Sequence, residues 1–281
     1  MEDRLNNMNT VAILGLGLIG SIYARHLHEA GLLTASWNRT PKPDFPKAVA
    51  SPLEAAEKAE VLIIVVSNPA AVESTIQSML PALSPRHLII QSSTIGPEDS
   101  TRFQQMVIST GARYLEAPFT GSKPAAEVKK TIFYLGGESD TVAAAEPVLG
   151  VFSAQRLHCG TGEQACTVKL AMNLQISAQV EALCEALFIS RAAGVSDDTF
   201  FTCMKGNAAW SGVAALKEPK FCAGDYKPQF SVKHMLKDLR LLEECAAELP
   251  LLRIMTKILE YASQAGRKDE DFISIYKNLK K

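Results

Sequence analysis

Val11-Ala12-Ile13-Leu14-Gly15-Leu16-Gly17-Leu18-Ile19-Gly20-Ser21 is the stretch that decides the architecture. Val11 to Gly15 is apolar on both parities, as a strand covered on both faces must be, and a G-x-G-x-x-G turn and a helical stretch follow directly. The first glycine permits a tight turn, the second lets a phosphate approach the backbone, and the third packs helix against strand. N–H groups and the dipole at a helix start favour an anion there. Gly15, Leu16, Gly17, Leu18, Ile19 and Gly20 are therefore expected to cradle the pyrophosphate of a dinucleotide.

Working outward, the same alternation continues to about residue 160. Leu33 to Trp37, Val61 to Val66, His87 to Gln91 and Arg113 to Glu116 read as further buried strands, and Thr131 to Leu135 and Gln155 to Cys159 as extensions of the sheet. Between them lie helical patterns, the clearest opening at Ser51-Pro52-Leu53-Glu54, a capping box with proline in the first turn. Strand–helix alternation of this kind predicts an α/β doubly wound parallel sheet of the Rossmann type over residues 1–160. From Glu163 to about Ala193 there is no proline or glycine, and Ala, Leu, Met and Glu dominate. A helix of about thirty residues would span roughly 45 Å. Val168, Leu170, Ala171, Met172, Leu174, Ile176, Val180, Leu183 and Leu187 surround it, so burial over most of its circumference is expected. Helical patterns at Ser196 to Lys205, Ser231 to Glu248, Leu251 to Gln264 and Asp269 to Lys280 complete an all-helical second domain, residues 161–281.

A length of 281 residues suits two domains, and 47% hydrophobic against 21% charged residues excludes a disordered chain. With 29 basic against 30 acidic residues, no electrostatic argument favours nucleic acid as a partner. Six widely spaced cysteines (159, 166, 184, 203, 222 and 245) match neither a disulfide framework nor a zinc site. They read as reduced thiols acting as small apolar residues, which suits the cytoplasm. The five histidines lack metal-ligand spacing, so no metal is expected. The uncharged stretch Asn6 to Ala24 after Arg4 superficially resembles a secretory signal, but Gly15, Gly17 and Gly20 interrupt it. No later apolar run approaches a membrane span, so no membrane partner is expected.

The second strand ends in Trp37-Asn38-Arg39-Thr40, with no carboxylate to hold a ribose 2′-hydroxyl. A guanidinium there pairs with a 2′-phosphate. Asn38, Arg39 and Thr40 thus point to NADP(H) in preference to NAD(H). Ser67 and Asn68, after the third strand, are placed where a loop should border the cofactor.

Four motifs in matching order carry a resemblance to the β-hydroxyacid dehydrogenases: Gly15 to Gly20; Glu116-Ala117-Pro118-Phe119-Thr120-Gly121-Ser122; Gly162 with Lys169 and Asn173; and Phe230 with Lys237-Asp238-Leu239. Gly121-Ser122-Lys123 and the Phe230-x-x-x-His234-x-x-Lys237-Asp238 run look most like the glyoxylate/succinic semialdehyde reductase branch. The resemblance implies that Lys169 is the catalytic acid/base, and helical spacing puts Asn173 on the same face. It implies substrate contacts at Thr120, Gly121, Ser122 and Phe230, cofactor contacts at Thr94 and Lys237, a small carboxylated aldehyde or 2-oxo acid as substrate, and a homodimer paired through the helical domain. Two departures bear on pocket shape. Thr120-Gly121-Ser122 stands where the family commonly has Ser-Gly-Gly, and Lys129 and Thr131 stand where it shows glycine and leucine. The alternatives are an imine reductase, which commonly replaces the lysine, and a non-catalytic NADP-binding protein.

Overall fold

The computed structural model describes residues 10–246 and 248–279, which form two compact units divided between Lys169 and Leu170. The division falls inside the long helix. Residues 6–9 of the uncharged N-terminal stretch, and Lys280, lie outside the described residues.

Unit one is built on an eight-stranded sheet. The strands are β1 Val11–Leu14, β2 Leu33–Trp37, β3 Val61–Ile64, β4 Leu88–Gln91, β5 Arg113–Glu116, β6 Phe119–Thr120, β7 Thr131–Gly136 and β8 Ser153–Gly160. They run in the order β2-β1-β3-β4-β5-β7-β6, with β8 beside β7. β1 to β5 pair in parallel, in register Ala12 to Leu62 to Ile89 to Tyr114. β7 runs antiparallel to β5 and β6, so the sheet is mixed and not wholly parallel as its both-parity apolar strands suggest. β1, β3 and β4 are buried along their whole length. Helices α1 Gly20–Glu29, α2 Pro52–Lys58, α3 Pro69–Met79, α4 Pro97–Ile108, α5 Lys123–Glu127 and α6 Ser139–Leu149 belong to this unit. Ser51 caps α2 through its hydroxyl, which accepts from Glu54 N at 3.1 Å. The reciprocal bond of Glu54 goes to Ala50 N, one residue before the cap, at 2.8 Å.

Helix α7, Gly162–Ala192, starts in unit one and continues into unit two, which also holds α8 Asp197–Lys205, α9 Gly212–Ala223, α10 Val232–Cys245 and α11 Pro250–Ala262. On α7, Leu170, Val180, Leu183 and Leu187 are buried, whereas Met172 and Ile189 are 41% and 67% exposed, so burial all round is not reached within one chain. The expected helix Asp269 to Lys280 is instead a 3₁₀ stretch, Phe272–Asn278. Asp271 causes this. Its buried carboxylate accepts from Lys217 Nζ at 2.9 and 3.0 Å and from Gln229 N at 2.8 Å, holding the chain extended ahead of Phe272. The helix from Leu251 ends at Ala262, where Ser263–Arg267 passes into a wider turn with Gly266 at φ 82°. Cys166 and Cys184 are buried as expected, but Cys203, Cys222 and Cys245 are exposed, and all six are free thiols. Among the described residues no helix is long and apolar enough to cross a membrane, and no cluster could hold a metal ion.

Candidate active site

The glycine turn follows β1 as the sequence requires. Gly15 adopts φ +111°, and a Cβ there would sit 2.1 Å from Val65 O. Gly20 lies so close to Gly15 that its Cβ would fall 2.0 Å from Gly15 O. A Cβ on Gly17 would meet nothing within 4 Å. That open approach beside Leu18 and Ile19, whose N–H groups have no acceptor among the described residues, fits a pyrophosphate. Leu16 plays a different part from its neighbours. Its N–H donates to Asn38 Oδ1 at 2.9 Å and its carbonyl accepts from Lys42 Nζ at 2.6 Å. Asn38, which also donates to Thr40 O at 2.7 Å, thereby ties the glycine turn to the end of β2.

Beside that tie lies a cavity of about 300 Å³, lined by Leu16, Trp37, Asn38, Arg39 and Lys42 among others, with no carboxylate in its wall. It combines an apolar floor, two cations and direct continuity with the phosphate turn, which suits the adenosine end of a dinucleotide. Sequence reasoning misses Lys42, although a second cation three residues past Arg39 in the same loop is a readable signal.

Farther along the sheet, Ser93 Oγ accepts from Val66 N at 2.9 Å and fixes the segment leading to half-buried Thr94. Ser67 is exposed, and the Asn68 side chain caps α3, accepting from Ala71 N at 2.8 Å. Thr120, Gly121 and Ser122 are half-buried at the turn between β6 and α5. Phe119 anchors the turn from below, 5.5 Å from both Tyr23 and Phe133 between ring centroids. Gly121 adopts φ +114°, and a Cβ there would lie 3.1 Å from the Thr131 methyl. Thr131 thus lies beneath a tight turn, and its hydroxyl donates to Phe152 O at 3.0 Å. Lys129 is strained instead, at φ 58° in the left-handed region that favours glycine. Lys129→Gly is expected to raise stability by roughly 0.5–1 kcal/mol, the relief of strain exceeding the entropy glycine adds to the unfolded chain. A higher denaturation midpoint checks this, and a lower one contradicts it.

Lys169 sits on α7 and is buried, 7% exposed. Gly162, Cys166, Lys169 and Asn173 follow the i, i+4, i+7, i+11 spacing of one helix face. In unit two, Asn173 Nδ2 donates to Asp238 Oδ2 at 2.6 Å, and Lys237 Nζ lies 2.6 Å from Asp238 Oδ1. Buried Asp238 thus links two of the predicted site residues, a role that no local spacing announces. Phe230 is half-buried, its N–H 3.3 Å from Asp271 Oδ2 and its ring stacked on His234 at 6.0 Å. Burial holds the His234 imidazole below its ordinary range.

A family model described as the NAD binding domain of 6-phosphogluconate dehydrogenase matches residues 10–166. Another, described as NAD-binding of NADP-dependent 3-hydroxyisobutyrate dehydrogenase, matches residues 162–279. An uncharacterized oxidoreductase of Synechocystis is 30% identical over 256 residues, 87% of this chain and 88% of that protein. The chloroplastic glyoxylate/succinic semialdehyde reductase 2 of Arabidopsis thaliana is 26% identical, covering 99% of this chain and 81% of its own. The solved structure of Mycobacterium tuberculosis 3-hydroxyisobutyrate dehydrogenase with L-serine superposes with a TM-score of 0.88 at 26% identity, over 98% of this chain and 100% of that one. With the phosphate turn, the buried helix lysine and these matches together spanning residues 10–279, the chain belongs to the β-hydroxyacid dehydrogenase family, whose members use a nicotinamide cofactor to act on a CH–OH group.

Proposed function

We propose that the protein reduces a small carboxylated aldehyde or 2-oxo acid, of the glyoxylate or succinic semialdehyde type, with NADPH. The observation that carries this reading is the burial of Lys169 on the face of α7 that it shares with Asn173. Bound NADPH supplies the hydride that reduces the carbonyl carbon. The protein's own part is to manage the charge that then develops on oxygen. The Lys169 ammonium hydrogen-bonds that oxygen and donates a proton to it; in the oxidative direction the amine takes the proton back. Asn173, held by Asp238, orients the reacting group. Thr120 and Ser122 offer hydroxyls, and the Gly121 turn a backbone N–H, to the substrate carboxylate. Phe230 borders the substrate and Lys237 contacts the cofactor. The exposed Met172 and Ile189 on α7 are covered by a second copy of the chain in a homodimer.

Preference for NADPH rests on Arg39 and Lys42 in a cavity wall without acid. Replacing Arg39 by alanine is expected to lower kcat/KM for NADPH roughly ten- to hundredfold, the worth of one charge-assisted hydrogen bond. The value for NADH should change little. Steady-state kinetics with both cofactors checks this. A wild-type protein that prefers NADH contradicts it.

A further inference from the structure

Glu116 ends β5, is completely buried, and has no part in the chemistry above. Its Oε1 accepts from Gln91 Nε2 at 2.7 Å, and its Oε2 accepts from Ser100 Oγ and Tyr114 OH, each at 2.8 Å. Gln91 carries the connection on. Its Nε2 also donates to Ser93 O at 2.8 Å and its Oε1 accepts from Ser93 N at 2.6 Å, which fixes the backbone just before Thr94. In the chain direction Glu116 leads directly into Ala117–Ser122. Above it sits the start of α7. A Cβ on Gly162 would lie 2.7 Å from Ser100 Oγ and 3.3 Å from Glu116 Cβ, so the absent side chain lets the helix rest on Ser100 and the stem of Glu116. Lys169 stands two turns farther on the same face, about 10 Å along the axis.

We propose that Glu116 is the positioning residue that holds the Thr94 segment, the Thr120–Ser122 turn and the lysine-bearing face of α7 in one fixed arrangement.

The groups around it bear on its charge. Gln91 faces it from β4, Ser100 from α4, Tyr114 from β5 and Cys166 from α7. Burial pushes Tyr114 and Cys166 well up, so both stay neutral, and the next charge acting on Cys166 is the carboxylate of Asp99. No cation stands among these partners to hold an anion. Burial therefore pushes the Glu116 carboxyl up to about 8, although the hydrogen bonds pull the other way. The hydroxyls of Ser100 and Tyr114 rotate and accept as readily as they donate, so the neutral acid is satisfied. Between its ordinary value of 4.5 and about 8, the unfolded chain releases this proton while the native protein keeps it. Glu116 thus subtracts stability progressively as pH rises through that window, and the loss is complete above it.

Glu116→Gln copies the neutral acid and cannot ionise; Glu116→Asp draws the carboxyl back by one methylene. At pH 7, with NADPH and a short carboxylated aldehyde, the glutamine variant should keep kcat within about threefold of wild type, and the aspartate variant should lose about tenfold or more, as a small misplacement near the chemistry does. NADPH affinity should stay unchanged in both, since the Gly15–Gly20 turn is untouched. The Tm of Glu116→Gln relative to wild type should rise from pH 5 to pH 8. An aspartate variant as fast as wild type, a glutamine variant as slow as the aspartate one, or a Tm difference flat with pH overturns the inference. It rests on the reductase reading for its kinetic arm only. A wild type that reduces no carbonyl sinks that reading while the Tm arm still reports on Glu116.

Discussion

Lys169→Ala is expected to lower kcat for carbonyl reduction by roughly 10²–10⁴, the usual worth of a positioned proton donor. The side chain is buried on α7. No solvent proton donor of equal placement replaces it when the ammonium is removed, and the developing alkoxide is left without its nearest positive charge. Cofactor affinity should change little, because the Gly15–Gly20 turn and the cavity by Arg39 and Lys42 lie on other elements of unit one. Stopped-flow or steady-state turnover together with NADPH fluorescence titration separates the two quantities. A variant with undiminished kcat removes Lys169 from the mechanism.

Gly15→Ala should have the largest effect on cofactor binding and fold together. At φ +111° an L side chain is strained, and the new Cβ would be driven to 2.1 Å from Val65 O and 2.8 Å from Val65 C. Both are backbone atoms just past the end of β3, so no flexible side chain can give way. A destabilisation on the order of 3 kcal/mol or more and loss of measurable NADPH binding are expected. Gly17→Ala provides the contrast. Nothing lies within 4 Å of its Cβ, so Tm should hold while NADPH binding weakens, because the methyl group occupies the pyrophosphate approach. Calorimetry with and without cofactor reads both. A Gly15→Ala protein with wild-type stability and affinity contradicts this account of the turn.

The fold was legible where local rules and tertiary structure agree. β1, β3 and β4 announce themselves as strands buried on both faces, and Ser51 marks the start of α2 through hydrogen-bonding chemistry confined to five residues. Reading fails where distant partners decide. Helix α9 escapes notice because it opens on Gly212 and carries Pro219, both poor helix residues, and it is held by the buried Phe221 and by Lys217 on Asp271 instead. The same ion pair, joining residues 54 apart, stands at the start of the 3₁₀ stretch that local pattern reads as a helix. In the candidate site, the glycine turn and Arg39 are read from spacing and composition, and the role proposed for Lys169 from the family likeness. Asp238 cannot, since its link to Asn173 spans 65 residues. Glu116 left a faint signal. With Tyr114 two residues away it places two polar groups on one side of a central strand, which an ordinary core strand does not tolerate without a network.

Absorbance of NADPH followed while purified protein meets glyoxylate, succinic semialdehyde and a cyclic imine in parallel tests the central claim most directly. The account predicts that the cofactor is oxidised with a carboxylated aldehyde, not with the imine, and that Lys169→Ala abolishes the signal. Oxidation only with the imine, or equal rates with and without Lys169, would contradict it.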